Sequence, residues 1–452
     1  MDAGSTVRPR ARVRFALATM LVAALAACGG GGGAEIPGPG SGGTGLPSGF
    51  APNEDSTTPS PDDQTPTGNQ FRSGTFPVNA TTAGNQGRAA VAALEGGGFV
   101  AAWTSSTATG NSAVVIQRFD AQGNPVGAET QVTARGSSPA LAALAGGGFL
   151  VTWSASPYMY EAHGYAQRYD GQGSPIGAPI QLAATYFKYS ARPMGLPDGG
   201  FVLAVDTTTG RYGSDYGQVQ RYTADGTHVG QPVSLTSEMS PQTTAYSPNW
   251  AGFTTTARWP DGRFAAAWVA AGNAEAGSEV RLTRFDAQGN ATGTATVARG
   301  SGLQHPTLAV LAGGQLALAW ASGANDAPKT VHLELFNAAG TSLGRRVVAT
   351  GVPGVMVAPR IAALADGGFA LAWKGTTYTG TSMTATVQAQ RFDAAGQPAG
   401  GVQQVSSVES PLPNDGFDHD TLDVMGTQGS NFLVLHGRYS AGAGWDVHAV
   451  AR

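Results

Sequence analysis

The 452-residue chain has one cysteine, Cys28, so no disulfide can form within it and any fold must rest on its core. Charge is scarce as well: 12% of the residues are charged, 26 basic against 30 acidic. With no basic stripe and a slight negative balance, the composition argues against a nucleic-acid partner. No apolar run reaches the roughly 20 residues that a membrane-crossing helix needs; the run over residues 15–27 stops at 13. The seven histidines are scattered, with no His-x-x-x-His spacing, and there is no Gly-x-Ser-x-Gly. No linear motif therefore assigns a catalytic residue, a metal or a cofactor. Glycine is plentiful, at 66 residues, as a β-rich chain with many tight turns requires.

Arg8, Arg10, Arg12 and Arg14 precede the short apolar run, which ends Leu25-Ala26-Ala27-Cys28. A basic flank, a short apolar segment and a small-residue exit form the pattern of an export signal. The last four residues resemble the lipobox of bacterial lipoproteins. That resemblance implies cleavage before Cys28, a diacylglycerol on its sulfur and a fatty acyl group such as palmitate on the new terminus, hence attachment to a membrane. Gly29 follows the cysteine in place of Asp, which by the same analogy points to the outer membrane. Residues 1–27 are then a lipoprotein signal peptide. Residues 28–72 hold five consecutive glycines and Pro37, Pro39, Pro47 and Pro52, with little apolar material to offset the entropy of ordering, and are expected to be a flexible tether. Residues 73–452 are the folded part.

One pattern fills that part. Its clearest copy runs Pro139-Ala140-Leu141-Ala142-Ala143-Leu144, Gly146-Gly147-Gly148, then Phe149-Leu150-Val151-Thr152-Trp153. After a polar loop come Gly164-Tyr165-Ala166-Gln167-Arg168-Tyr169, the turn Asp170-Gly171-Gln172-Gly173 and Pro175-Ile176-Gly177. Short apolar runs separated by Gly and Asp turns predict four strands. The Trp153 position recurs at Trp103, Val205, Trp268, Trp320, Trp373 and Leu435, 50 to 63 residues apart, each time after a Gly-containing turn. A second turn, opened by Asp120, Asp170, Thr223, Asp286, Asn337 and Asp393, appears six times.

The seventh repeat ends after its third strand, at residues 445–450. Residues 73–80 align with residues 127–134, the fourth strand of the first repeat, and so are expected to complete the last one. Closing the ring in this way removes open sheet edges. The expectation is an all-β chain: a seven-bladed β-propeller of four-stranded antiparallel blades, closed by its N-terminal strand. Small residues fill the innermost strands (Ala89 to Ala93, Ala140 to Ala143), and the second strands are apolar on both faces, so the recurrent Phe and Trp are read as core.

The repeat resembles tandem repeats of large bacterial surface and secreted proteins, here as Gly97-Gly98-Phe99-Val100-Ala101-Ala102-Trp103, Gln117-Arg118-Phe119-Asp120 and Gly123-Asn124-Pro125-Val126-Gly127. The resemblance covers residues 73–452 and implies company in the cell envelope, with no catalytic residues to carry over.

Alternating strand direction sorts the loops. First–second and third–fourth turns share one face and are short. Second–third loops and blade connections share the other and are long, which marks that face for binding. Tyr158, Tyr160 and His163 fall in one such loop, Tyr212 and Tyr216 in the next, and Tyr246 and Trp250 in the longest connection. Together they are the expected site for an envelope protein or glycan, against the simpler reading of loops packed over the end of the ring. Asp415, Asp418, His419 and Asp420 alternate sides if extended, so they are read as a solvated loop and not as a ligand set. Arg118 and Asp120, with their copies, are expected to form structural ion pairs, and His436 and His448 to be tolerated on strands of the last blade. The leading functional expectation is a non-catalytic, lipid-anchored binding module. A glycan-active hydrolase or lyase using axial carboxylates about 5 to 9.5 Å apart is the second, and a purely structural scaffold the third.

Overall fold

The computed structural model describes residues 71–106, 112–158, 161–182, 186–187, 191–208, 215–235, 254–271, 277–323, 329–353, 357–411, 421–427 and 430–452. Its strands form seven antiparallel sheets arranged in a ring. Blade 1 consists of Asn85–Ala93, Phe99–Ser106, Ser112–Phe119 and Pro125–Thr133, in that order from the axis outward. Blades 2 to 6 repeat it at residues 137–181, 192–234, 255–300, 304–352 and 360–411. Blade 7 takes three strands from the end of the chain, Leu422–Gly426, Phe432–Ser440 and Gly444–Ala451, and a fourth, Gly74–Pro77, from the beginning. The closing register is Gly74 opposite Ala451 through Pro77 opposite His448, as the alignment of residues 73–80 with 127–134 requires.

The apolar pattern explains the ring. Buried side chains gather into seven clusters, each shared by two neighbouring blades and one of them joining blade 7 to blade 1. Second strands supply both sides: Phe99 and Ala101 face blade 7, while Val100 and Ala102 face blade 2. In five blades the aromatic that opens the second strand stacks on the one that ends the third. These pairs are Phe99–Phe119, Phe149–Tyr169, Phe201–Tyr222, Phe264–Phe285 and Phe369–Phe392, with centroids 4.4 to 5.0 Å apart and planes within 10°. Such rings contribute a few kcal/mol each through burial, with about 1 kcal/mol more from stacking.

The outer turns explain the conserved Arg and Gly within the repeat. Asp120 turns its carboxylate onto its own turn, accepting from the N–H groups of Gln122 and Asn124 and from Asn124 Nδ2 at 2.8 to 3.0 Å. These bonds hold its pKa below the usual carboxylate range against the opposing effect of burial. Arg118 therefore does not pair with Asp120, contrary to the spacing argument. It reaches the next blade, where its Nη1 donates to Gln172 O at 2.6 Å and its stem lies over Gly173. That glycine has φ +87°, so its conformation demands glycine, and a Cβ there would lie 2.9 Å from Arg118 Cδ and push the arginine stem aside. In blade 5, Leu335 stands at the position of the Arg and packs over Gly396 of the next blade. In blades 3 and 6 the Arg pairs with the inner turn of its own blade, Arg221 with Asp198 and Arg391 with Asp366.

Two further differences emerge. Blade 3 gains a fifth strand, the two residues Tyr186–Phe187, which pair with Thr208 and Thr207 at the long-loop end. In blade 7 the tryptophan position is taken by His436, not Leu435. Asp423 pairs with Leu435 as Ala90 pairs with Ala102, so the next residue, His436, corresponds to Trp103. A one-residue slip moves a side chain to the opposite face, so the correction replaces an aliphatic core residue by a buried titratable one.

Candidate functional site

Of the residues expected to bind a ligand, Tyr160, Tyr212, Tyr246 and Trp250 lie outside the described residues, as do Cys28 and the acidic stretch with Asp415, Asp418, His419 and Asp420. The backbone places the other three at the long-loop ends of adjacent blades. Tyr158 pairs with Glu161 at the tip of the second–third hairpin of blade 2, and His163, half-buried, pairs with Ala155 two steps down the same hairpin. Tyr216 pairs with Thr207 in blade 3. The added strand Tyr186–Phe187 lies between these hairpins, bonded to blade 3 and against the third strand of blade 2. The sequence reading missed it, because two residues carry no periodicity.

A second set of groups converges on the axis. Matched through their strand partners, one position of the innermost strand is Ala or Thr in four blades (Ala90, Ala140, Thr255, Thr307) and charged in three: Arg192, Arg360 and Asp423. Asp423 is the one carboxylate that the described innermost strands carry. Its Oδ2 accepts from the Val91 N–H of blade 1 at 3.0 Å and its Oδ1 from its neighbour Val424 at 3.0 Å. Burial pushes its pKa up, opposed by the Arg360 guanidinium, these two N–H groups and the more distant Arg192. Blade 3, which carries Arg192, is not a neighbour of blade 7, so that field runs across the axis.

Inner strands are also where the backbone is bent away from ordinary geometry. Arg88, Ser138 and His305 occupy the same place in blades 1, 2 and 5, each with φ between 47° and 54° and each at a register shift. Positive φ costs a non-glycine residue on the order of 1 kcal/mol. Arg88 Nη1 donates to Ser138 Oγ at 2.8 Å, tying two of these bulges together across a blade boundary.

On the short-turn face a concavity of about 720 Å³ opens between the turns of blades 1 to 3, lined by Glu95, Arg118, Asp120, Arg168, Asp170 and Ile176 among others. Its polar groups largely serve the turns themselves: Glu95 accepts from the Gly146 N–H at 2.9 Å, and Asp170 from Gln172 and Ser174. Among the described residues no group of three His, Cys, Asp or Glu side chains could hold a metal ion.

Comparison with known protein families and with curated proteins finds no match. Solved structures give distant likenesses. A protein of unknown function from Dyadobacter fermentans aligns at 13% identity over 83% of this chain and 97% of its own, with a TM-score of 0.48. The GH93 α-L-arabinofuranosidase of Fusarium graminearum, solved with arabinobiose, aligns at 12% identity over 85% and 98%, with a TM-score of 0.46. A PL25 polysaccharide lyase, an ulvan lyase, aligns at 11% identity over 85% and 95%, with a TM-score of 0.45. At these values the likenesses carry no functional argument.

Proposed function

We propose that the chain is a non-catalytic recognition module, tethered to the outer membrane through an acylated Cys28, that binds an envelope glycan or protein on its long-loop face. The observation that carries this is the sector at the ends of blades 2 and 3, where Tyr158, His163 and Tyr216 sit on adjacent hairpins and an extra strand, Tyr186–Phe187, is laid between them. A structural cap would need no aromatic concentration there, whereas a binding face uses rigid aromatic side chains as anchors. The alternative of a glycan hydrolase or lyase calls for a general acid and a base or nucleophile on opposite sides of a sugar. Asp423, the one carboxylate on the described innermost strands, already accepts two backbone N–H groups. Its use is accounted for by joining blade 7 to blade 1.

One experiment addresses anchor and face together. The full chain, Cys28→Ala and Trp250→Ala are compared for retention in the membrane fraction and for binding to an array of envelope glycans and to purified envelope proteins. Cys28→Ala is expected to leave the membrane and keep its binding. Trp250→Ala is expected to stay and to bind at least tenfold more weakly. Unchanged fractionation of Cys28→Ala overturns the anchor, and undiminished binding by Trp250→Ala moves the site off this sector.

A further inference from the structure

Five blades carry an arginine two positions before the residue that opens the outer turn, and four of the five are engaged. Arg118 and Arg284 donate to the outer turn of the next blade, at Gln172 O and Ala339 O. Arg221 and Arg391 pair with an aspartate on the inner turn of their own blade, Asp198 and Asp366. Arg168, the copy in blade 2, has neither partner. Gly146 stands on its inner turn where Asp198 and Asp366 stand on theirs, and the turn glycine ahead of it, Gly226, is covered by Ile180. Among the described residues Arg168 makes no hydrogen bond and no ion pair. It lies instead, half-buried, in the wall of the 720 Å³ concavity on the short-turn face.

The rest of that lining indicates what the guanidinium is open to. Glu95 accepts the Gly146 N–H at Oε2, and Asp170 accepts from Gln172 and Ser174 at Oδ1. Glu95 Oε1 and Asp170 Oδ2 have no donor among the described residues. The lining thus holds a free donor fork and two free acceptor oxygens. Its charges are mixed, Glu95, Asp120 and Asp170 against Arg118 and Arg168, so a ligand of either net charge would meet repulsion along with attraction. Hydroxyl groups suit both signs, because each donates to a carboxylate and accepts from a guanidinium. Gly96, Gly97, Gly146 and Gly147 line the cleft without side chains, which leaves room for a flat ring. Val126 and Ile176, 38% and 41% exposed, offer apolar contact to its C–H faces. The volume falls within the roughly 300–1,000 Å³ of small-ligand sites.

We propose that the cleft between the turns of blades 1 to 3 binds a neutral glycan, with Arg168 donating to its oxygens and Glu95 and Asp170 accepting from its hydroxyls. The site is on the face opposite the long loops and does not depend on them.

The test is calorimetric titration of the full chain with cellohexaose, maltohexaose, mannohexaose and xylohexaose, and with hexagalacturonate and hexaglucosamine as charged counterparts. At least one neutral hexamer is expected to bind saturably, and at least tenfold more tightly than either charged one. Arg168→Met is expected to weaken that binding tenfold or more with no change in melting temperature, because the side chain holds nothing within the fold. Arg284→Met, the same repeat position away from the cleft, and Trp250→Ala on the long-loop side are expected to bind as the unaltered chain does. The proposal is overturned if no neutral hexamer binds saturably, if a charged hexamer binds more tightly, or if Arg168→Met binds undiminished. A lower melting temperature for Arg168→Met would make the arginine a structural residue and overturn it too, and a loss confined to Trp250→Ala would put the glycan on the other face.

Discussion

The fourth strand of blade 1 and the fourth strand of blade 7 occupy equivalent places, yet they are built on opposite principles. In blade 1, Pro125–Thr133 is an outer edge with most residues exposed. In blade 7, the matching residues include Phe76, fully buried, and Val78, which join a cluster with Phe99, Trp103 and Phe119 of blade 1. Thr130, exposed, stands where Phe76 does, since each pairs with the matching residue of its third strand. The difference follows from connectivity. Pro125–Thr133 is held in register by a five-residue turn to its own hairpin partner, so it closes a short loop at little entropic cost. Gly74–Pro77 comes from the other end of the chain and must bring its own adhesion, through an aromatic anchor and side-chain bonds. Phe71, stacked at a tilt 6.2 Å from Phe99, and Arg72, whose guanidinium lies 4.7 Å from the Phe76 ring centroid, extend that grip.

Phe76→Ala is accordingly the change with the largest expected effect. Truncating a buried Phe costs about 3–5 kcal/mol, and here it loosens the seam on which the ring depends. Thr130→Ala, at the matched place in blade 1, is expected to stay within about 0.5 kcal/mol. Urea unfolding of both variants checks the contrast, and similar losses in the two would dissolve it.

Blade 7 differs from the others in its core as well. Where five blades place a Trp, it places His436, cross-strand from His448 with ring centroids 6.1 Å apart. Burial lowers both pKa values to about 4, for His448 with a further push from His436 and Arg438. A buried histidine in blade 5 is treated differently: His332 stacks on Trp320 and its Nε2 bonds Ser322 Oγ at 2.7 Å. His436 Nε2 and His448 Nδ1 have no such partner. With folded values below the unfolded 6.5, both histidines stay neutral in the native state, so their contribution is complete above pH 6.5. It drains away as the pH falls from there to about 4, a loss of a few kcal/mol for the pair by linkage. Asp423 and Asp446, raised by burial, act in the opposite direction, contributing below the unfolded carboxylate value and less as the pH rises through their folded values. The double variant His436→Leu/His448→Val, which puts aliphatic side chains in place of the pair, should flatten or reverse the acid limb between pH 6.5 and 4. Melting temperatures measured across that range decide it; an unchanged acid limb would assign the effect to other groups.

Much of this was legible in the chain and some was not, for physical reasons. The strand count, the turns and the closing register follow from local chemistry: glycine where φ is positive, aspartate where turn amides need an acceptor, and apolar pairs at a fixed offset. The slip from His436 to Leu435 came from reading blade 7 by hydrophobicity, which places an aliphatic residue in the core when the register places an imidazole there. Arg118 was matched to Asp120 because both lie in one repeat; its real partner, Gln172 O, is 54 residues away and exists only once two blades stand side by side. The axial group was invisible for a stronger reason. Arg192, Arg360 and Asp423 replace Ala or Thr in different repeats, so a comparison of repeats discards them as variation, and only a closed ring brings blades 3, 6 and 7 to one axis. Tyr158, His163 and Tyr216 could be placed on one face because strand direction alone decides that.

The smallest predicted effect tests whether the seam is specified by polar groups as well as by Phe76. Asn79 is buried just beyond the closing strand; its Nδ2 donates to Asp446 Oδ1 at 2.8 Å and to Thr81 O at 3.0 Å, and its Oδ1 accepts from the Val447 N–H at 2.7 Å. The matched residue in blade 1, Thr133, makes a local bond from its Oγ1 to Arg135 O at the surface. Asn79→Ala would leave a buried amide and a buried carboxylate without their partner, at about 1–3 kcal/mol. Thr133→Ala gives up a solvated contact whose loss water makes good. Hydrogen exchange locates the effect. If the closing strand is held by these bonds, Asn79→Ala should speed exchange at the Val447 and Ala449 amides, which face that strand, while blade 4 amides keep their protection. A uniform increase over all seven blades would mean instead that the ring opens only as a whole, and that no seam exists as a separate element of its stability.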